Sequence, residues 1–275
     1  MNTGMQEVSG ITFSGLGIAP GLLTVLEKIH YTAPTPIQRE AIPPAIEGKD
    51  VVGIAQTGTG KTLAFGIPLI QLLAQSKGQG LVLVPTRELA LQVDGELHKI
   101  GRSSGLRTAV LIGGLSFGPQ VAAIRRNPHI IIATPGRLID HLQQKTMRLE
   151  VVRVLVMDEA DRMLDMGFIR DMKKIMMKIP TERQTLLFSA TLSGEVHQIA
   201  QQFMKHPHVV KAEAYVDKGK LEQIYYDLDK KGDQKFGLLL HILKEEKPPL
   251  AIIFAGTRRM VDKVERNLNQ NNVHA

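Results

Sequence analysis

The chain has 275 residues, 43% of them hydrophobic, which is enough for one large domain or two modest ones. It has no cysteine, which excludes a disulfide framework and thiolate metal sites, and aromatics at 4% with no Trp argue against stacking of bases on aromatic platforms. A formal charge of +7 favours a polyanionic partner; from Lys211 onward there are 12 basic and 10 acidic residues, so residues 1–210 carry 22 minus 17, or +5. Met1 to Gln6 lack the basic-then-apolar order of a secretory signal. No apolar run approaches the ~20 residues a bilayer requires, so the cytoplasm is the expected location.

In chain order, Thr35-Pro36-Ile37-Gln38 makes a proline-rich turn before a helix. Short apolar runs then recur between helical patterns at 51–55, 81–84, 108–112, 130–133, 152–157 and 185–188. Strands alternating with helices predict βαβ units, hence a parallel α/β sheet with helices on both faces. The first run leads into Ala55-Gln56-Thr57-Gly58-Thr59-Gly60-Lys61-Thr62, ahead of the helix-like Leu63 to Ile67. Gly58 and Gly60 let the backbone curl so that its N–H groups face phosphate oxygens. Lys61 can reach the β- and γ-phosphates, and the Thr62 hydroxyl can ligate magnesium. Ala55 stands where the strict phosphate-loop pattern has its first glycine.

The run Val154-Leu155-Val156-Met157 delivers Asp158-Glu159-Ala160-Asp161 at a strand's carboxyl end, where open α/β sheets bind ligands. An Asp-Glu pair there suits a magnesium ion beside a water, although such pairs also serve simply as helix caps. Leu164, Phe168, Met172, Ile175 and Ile179 form one apolar helical stripe, with methionines as core filler and Lys173-Lys174 on its solvated face. Residues 211–220 read as a linker after a first domain over 1–210. A second unit, 221–275, then begins with a strand-like Leu221 to Leu228, a helix around 236–243, a buried strand at Leu250 to Phe254, and a helix capped by Thr257.

Seven motifs in order, Thr35 to Gln38, Ala55 to Thr62, Pro85-Thr86-Arg87-Glu88-Leu89-Ala90, Gly113-Gly114, Thr134-Pro135-Gly136-Arg137, Asp158 to Asp161 and Ser189-Ala190-Thr191, resemble the first half of a DEAD-box RNA helicase. The resemblance runs from about Phe13 to Thr191 and more loosely beyond. It implies a RecA-like phosphate-loop NTPase domain, followed by the start of a second such domain. It implies ATP and Mg2+ as cofactors, RNA as partner, a monomer, and ATP hydrolysis coupled to local unwinding of RNA duplexes. Gln38 would read adenine, with Phe13 packing close by. Asp158 would hold magnesium, Glu159 would orient the attacking water, and Asp161 would bond to Ser189 or Thr191, coupling nucleotide state to domain closure. Arg87, Gly113, Gly114, Thr134 and Arg137 match positions that grip the RNA backbone without reading bases. His30 departs from the family, which usually has glycine there. The family's later Ala-Arg-Gly-x-Asp and His-Arg-x-Gly-Arg-x-Gly-Arg motifs do not occur in the 275 residues. The expectation is therefore either a helicase recorded incompletely or a nucleotide- and RNA-binding module without unwinding activity.

Overall fold

A computed structural model describes residues 12–75, 77–102, 105–212, 222, 224–228 and 234–274. The chain divides at Tyr215/Val216 into two compact units. In the first, seven parallel strands form one sheet in the order β3-β4-β2-β5-β6-β1-β7. They are β1 (Val51–Ile54), β2 (Gln79–Leu83), β3 (Thr108–Leu111), β4 (Ile130–Ala133), β5 (Val152–Met157), β6 (Gln184–Ser189) and β7 (His208–Lys211). The helices of this unit are α1 (Pro20–Lys28), α2 (Pro36–Ile46), α3 (Lys61–Gln75), α4 (Arg87–Gly101), α5 (Phe117–Arg125), α6 (Pro135–Gln143), α7 (Ala160–Asp165), α8 (Ile169–Met176) and α9 (Gly194–Phe203), after a 3-10 turn at Phe13–Leu16.

The apolar runs are nearly continuous, broken by the exposed Arg153 near the start of β5, because both faces of the sheet are covered, yet the pleat still divides them. Val82, Ile130, Ile132, Val154, Val156, Leu186 and Phe188 face a core completed by α1 to α4. Leu81, Leu83, Ile131, Leu155, Met157 and Leu187 face a second core completed by α6 to α9. Because every strand is parallel, all carboxyl ends lie along one edge. The phosphate loop follows β1, the acidic run follows β5, and the Ser-Ala-Thr run begins at the end of β6, which lies between them.

Four expectations need correction. Lys211, assigned to a linker, closes strand β7, and the N–H of Ala212 still donates to the Ile54 carbonyl at 2.9 Å. This strand is short and at the sheet's edge, with only Val210 buried, so it lacks the apolar run that marks the others. The rest of the proposed linker, residues 213–220, lies outside the described residues. Second, the stripe from Leu164 to Ile179 is not one helix: Leu164 is on α7, Met172 and Ile175 are on α8, Phe168 lies just before α8 and Ile179 just past it. Gly167, with φ of 81°, breaks the turn between α7 and α8 while its apolar neighbours stay on the same core. Third, Leu250 to Phe254 is no strand. Described by itself, the second unit has helices α10 (Gln234–Glu246) and α11 (Arg258–Gln270), with Thr257 capping α11 through Met260 N–H at 3.2 Å. Leu250, Ile252 and Phe254 are 81, 75 and 92% exposed, because no neighbouring strand pairs with them among the described residues. The strand expected at 221–228 is likewise absent over the described residues 222 and 224–228. His30 occupies a left-handed backbone, φ 63°, just past α1, the geometry in which a family glycine is at ease.

No helix among the described residues is long and apolar enough to cross a membrane.

Candidate active site

The loop after β1 meets the carboxyl end of β5 across a cleft of about 510 Å³. Its lining includes Gln38, Thr57, Gly58, Gly60, Lys61, Thr62, Asp158 and Glu159, eight of the residues singled out from sequence. Ala55 is buried beneath the loop, its N–H donating to the Ser189 carbonyl at 2.9 Å. Gln56 is exposed and accepts from the Thr59 hydroxyl at 2.7 Å, which folds the loop back on itself. Phe13 is buried in the core shared with α1 to α4 and does not line the cleft.

Gln38 is 2% exposed and both ends of its amide are engaged. Its oxygen accepts from Thr35 N–H at 2.9 Å, closing a capping box at the start of α2. Its nitrogen donates to the Gly60 carbonyl at 3.0 Å, tying that helix to the phosphate loop. Gly60 has φ of 90°, and a Cβ there would run into the Gln38 amide, so only glycine gives this approach.

Lys61 is 5% exposed, and its ammonium has no hydrogen-bond partner among the described residues. An unpaired buried charge is costly, so a site built this way is shaped for an anion. Asp158 is also buried, its Oδ1 accepting from Glu159 N–H at 2.9 Å. Burial pushes its carboxyl up to about 6, against the pull of the Lys61 ammonium and the Glu159 N–H, while the charges of Glu159 and Asp161 push it the same way as burial. Glu159 has left-handed backbone angles, φ 52° and ψ 50°, which cost an L-residue about 1–2 kcal/mol. Its carboxylate pairs with Arg162 at 3.2 Å. Strain of this kind is maintained where the surroundings fix a side chain for use.

The donor set fits magnesium. Asp158 and Thr62 supply hard oxygens, and among the described residues no group of three or more His, Cys, Asp or Glu could cage a metal alone. A small ion that keeps several waters and takes phosphate oxygens suits such a site. A pH dependence follows. With its pKa raised from 3.8 to about 6, Asp158 holds a proton in the folded protein that the unfolded chain has lost. Its contribution to stability is full below about pH 4 and disappears as pH rises through 6. A ligand that needs the carboxylate ionised must expel that proton. Affinity for magnesium–nucleotide should therefore fall about tenfold per pH unit below 6, and Asp158→Asn should flatten the profile once the ligand's own protonation is common to both proteins. Calorimetric titration from pH 5 to 7 checks this, and equal slopes in parent and variant would refute it.

Asp161 links the two strand ends. Its Oδ2 accepts from Ala190 N–H at 3.1 Å, Thr191 N–H at 2.9 Å and the Thr191 hydroxyl at 3.1 Å, and its own N–H donates to Ser189 Oγ at 3.3 Å. Burial alone would raise this carboxyl, but hydrogen bonds from Arg162 N–H and from Thr191 hold it below its ordinary value.

A second cavity of about 440 Å³ lies at the ends of β2, β3 and β4, lined by Arg87, Gly113, Thr134 and Arg137 among others. Arg87 begins α4, whose Thr86 cap accepts from Leu89 N–H at 3.2 Å. Its guanidinium lies where a Cβ on Gly114 (φ 74°) would be. No side chain caps α6, so its first-turn N–H groups stay available to an oxyanion. Arg137 is pre-set by the Leu115 carbonyl at 2.9 Å and by Phe117, whose ring lies 5.6 Å away. Phe117 in turn stacks on His141 at 4.1 Å. Burial and the Arg137 charge lower the His141 pKa. Sequence reading missed Tyr31, Leu89, Gln92 and Glu96, which form the cleft's other wall, with Tyr31 donating to Glu96 at 3.4 Å. Leu89, Gln92 and Glu96 share one face of α4, at spacings of three and four, but nothing in the sequence says that this face meets Tyr31 and the cleft.

A parallel sheet whose first strand enters a glycine-rich loop and a Lys-Thr helix start, faced by an acidic strand end, defines a RecA-like phosphate-loop nucleotide-binding protein. Residues 35–199 match the family model for the DEAD/DEAH box helicase. The DEAD-box ATP-dependent RNA helicase CshA of Bacillus cereus is 45% identical over 94% of this chain and 49% of its own length. CshA of Geobacillus kaustophilus is 44% identical over 94% of this chain and 56% of its own. In structure the chain resembles a DEAD box protein from the hyperthermophile Methanococcus jannaschii, with a TM-score of 0.71 and 32% identity over 95% of this chain and 71% of that one. The chain belongs to the DEAD/DEAH box helicase family. It spans about half the length of the curated relatives it matches.

Proposed function

We propose that this chain is the ATP-binding part of an ATP-dependent RNA helicase, holding ATP in the cleft between the phosphate loop and Asp158 and gripping RNA at the ends of β2, β3 and β4. A cytoplasmic site of action and a monomer belong to the same reading. The observation that carries it is the buried Lys61 ammonium, with no hydrogen-bond partner among the described residues, opposite a buried carboxylate. Lys61 neutralises phosphate charge, and the N–H groups around Gly58 and Gly60 cradle the oxygens. Magnesium, held by Thr62 and Asp158, would supply further neutralisation of the phosphates when bound. Glu159 fixes and polarises the attacking water, with its position set by the left-handed backbone and by Arg162. The Asp161 bonds to Ala190 and Thr191 would carry the state of the cleft to the end of β6.

Adenine recognition by Gln38 requires its amide to exchange a present partner, the Gly60 carbonyl or Thr35 N–H, for the base. Exchange of the Gly60 carbonyl would loosen α2 from the phosphate loop, whereas exchange of Thr35 N–H would open the cap at the start of α2. Adenine nucleotides should bind more tightly than guanine nucleotides by about 1–3 kcal/mol, the cost of leaving a buried amide unpaired. Titration of labelled ATP and GTP tests this. Equal affinities, unchanged in Gln38→Ala, would remove adenine from the assignment.

A further inference from the structure

The opposite edge of the sheet, where the strands begin, is electrically lopsided. Four stretches surround the starts of β2, β3, β4 and β5: residues 77–78, 102 with 105–107, 125–129, and 144–153, the last including the first two residues of β5. They carry Lys77, Arg102, Arg107, Arg125, Arg126, Lys145, Arg148 and Arg153, eight cations, against Glu150 alone. None of the eight forms an ion pair among the described residues. The segments leading into β6, β1 and β7 differ. There Lys49 pairs with Glu47 at 2.7 Å and Lys205 with Glu182 at 2.8 Å, while buried Asp50 accepts from Thr185 and Lys205 N–H at 2.7 Å each. One half of this edge is neutralised internally and the other is not.

The unpaired half is also shaped. Lys77, Arg107, Asn127, His129 and Arg153 line a concavity of about 440 Å³ with no carboxylate in its wall. Arg107 is steadied by the Asn127 carbonyl at 3.1 Å. Its N–H donates to His129 Nδ1 at 3.0 Å, which leaves the neutral ring with its hydrogen on Nε2, a donor. Arg153 is the extra residue of a β-bulge, since Gln79 pairs with Val152 and Gly80 with Val154. A bulge re-aims a side chain, and here it turns Arg153 outward at the edge. Gly78 is bare where any Cβ would strike the Arg153 stem.

We propose that this edge binds the phosphate backbone of RNA, as a second contact surface on the side of the domain away from the nucleotide cleft. The proposal rests on the reading of the chain as an RNA-binding helicase. Four neighbouring strands about 4.8 Å apart place their loops in a row of roughly 14 Å. A row of that length can face a few successive phosphates of one strand. An acidic protein partner is the weaker match, because the lining offers cations and amides but no aromatic anchor of the kind that dominates protein interfaces.

The test compares Lys77→Gln/Arg107→Gln/Arg153→Gln with Lys49→Gln/Lys178→Gln/Lys205→Gln, the same charge change on the neutralised half, in the full 275-residue chain. Binding of a mixed-sequence single-stranded RNA, with nucleotide present, is titrated across salt. The first variant should lose affinity roughly tenfold at low salt, and its slope of log affinity against log salt should shrink by about 2, some 0.7 per lost phosphate contact. The control should match the parent within about twofold. Equal behaviour of the two variants overturns the proposal and leaves the helicase reading standing. A parent that binds no RNA overturns both. If poly-glutamate binding falls in the first variant while RNA binding holds, the face takes an acidic protein and the proposal fails. Retained nucleotide binding confirms folding; should the triple variant lose it, the exposed single variants Lys77→Gln and Arg126→Gln are each expected to shrink the slope by about 0.7, and a slope equal to the parent's in both overturns the proposal.

Discussion

Replacing Lys61 by Ala is expected to weaken nucleotide binding roughly 10- to 150-fold while leaving the empty protein no less stable. The loss corresponds to about 1.5–3 kcal/mol for a hydrogen bond to a charged group. The unchanged stability is the less obvious half. The ammonium is buried with no hydrogen-bond partner among the described residues, so its removal takes a desolvated charge out of the fold, which offsets the small void left behind. Lys61→Met keeps most of the aliphatic stem and separates charge from packing. Calorimetric titration and a ligand-free thermal melt are the measurements. If both variants unfold at markedly lower temperature, Lys61 is a structural residue and its role with phosphate falls. Glu159→Gln should behave in the opposite sense. Its nucleotide affinity stays near that of the parent, whereas single-turnover hydrolysis with RNA present drops by about 10²–10⁴, the usual contribution of a positioned base. Hydrolysis at the parental rate would remove Glu159 from the water.

These residues were legible because their chemistry is local. A glycine-rich turn ending in Lys-Thr, or two acids after four apolar residues, needs no knowledge of the rest of the chain. The six strands were legible for a related reason: burial on both faces makes each a nearly continuous apolar run. Strand β7 escaped because Val209 faces outward at the sheet's edge, 51% exposed, and two valines between His and Lys make no pattern. The α7–α8 break escaped because Gly167 interrupts the backbone without interrupting the stripe. Tyr31, Gln92 and Glu96 were out of reach for a different reason, since only the fold brings α4 against the turn before α2. Gln38 shows the limit of reading a side chain by its capacity. Its donor and acceptor were read as facing a base, and in the structure both are satisfied within the protein.

The 275-residue polypeptide is expected to hydrolyse ATP slowly and to separate no RNA strands. Charge on the transferring phosphoryl group is often met by an arginine worth about 10³–10⁵ in rate. No arginine lines this cleft among the described residues, and Arg162 is committed to Glu159. Among the described residues the one cation lining the cleft is Lys61, and it belongs to the binding step. The second unit adds little to the balance. Helix α10 has no buried residue, α11 buries only Leu268, and the apolar Leu250 to Phe254 segment lies open to solvent. A region with so few buried apolar contacts opens at low free energy. Limited proteolysis should therefore cut first beyond Ala212, which is hydrogen-bonded to the sheet through Ile54, and leave a resistant core that still binds nucleotide. Supplying a polypeptide that carries the family's missing arginine motifs should raise hydrolysis toward the range set by the arginine contribution. Strand separation by the purified chain alone, or a second unit that resists protease and melts cooperatively, would overturn this account.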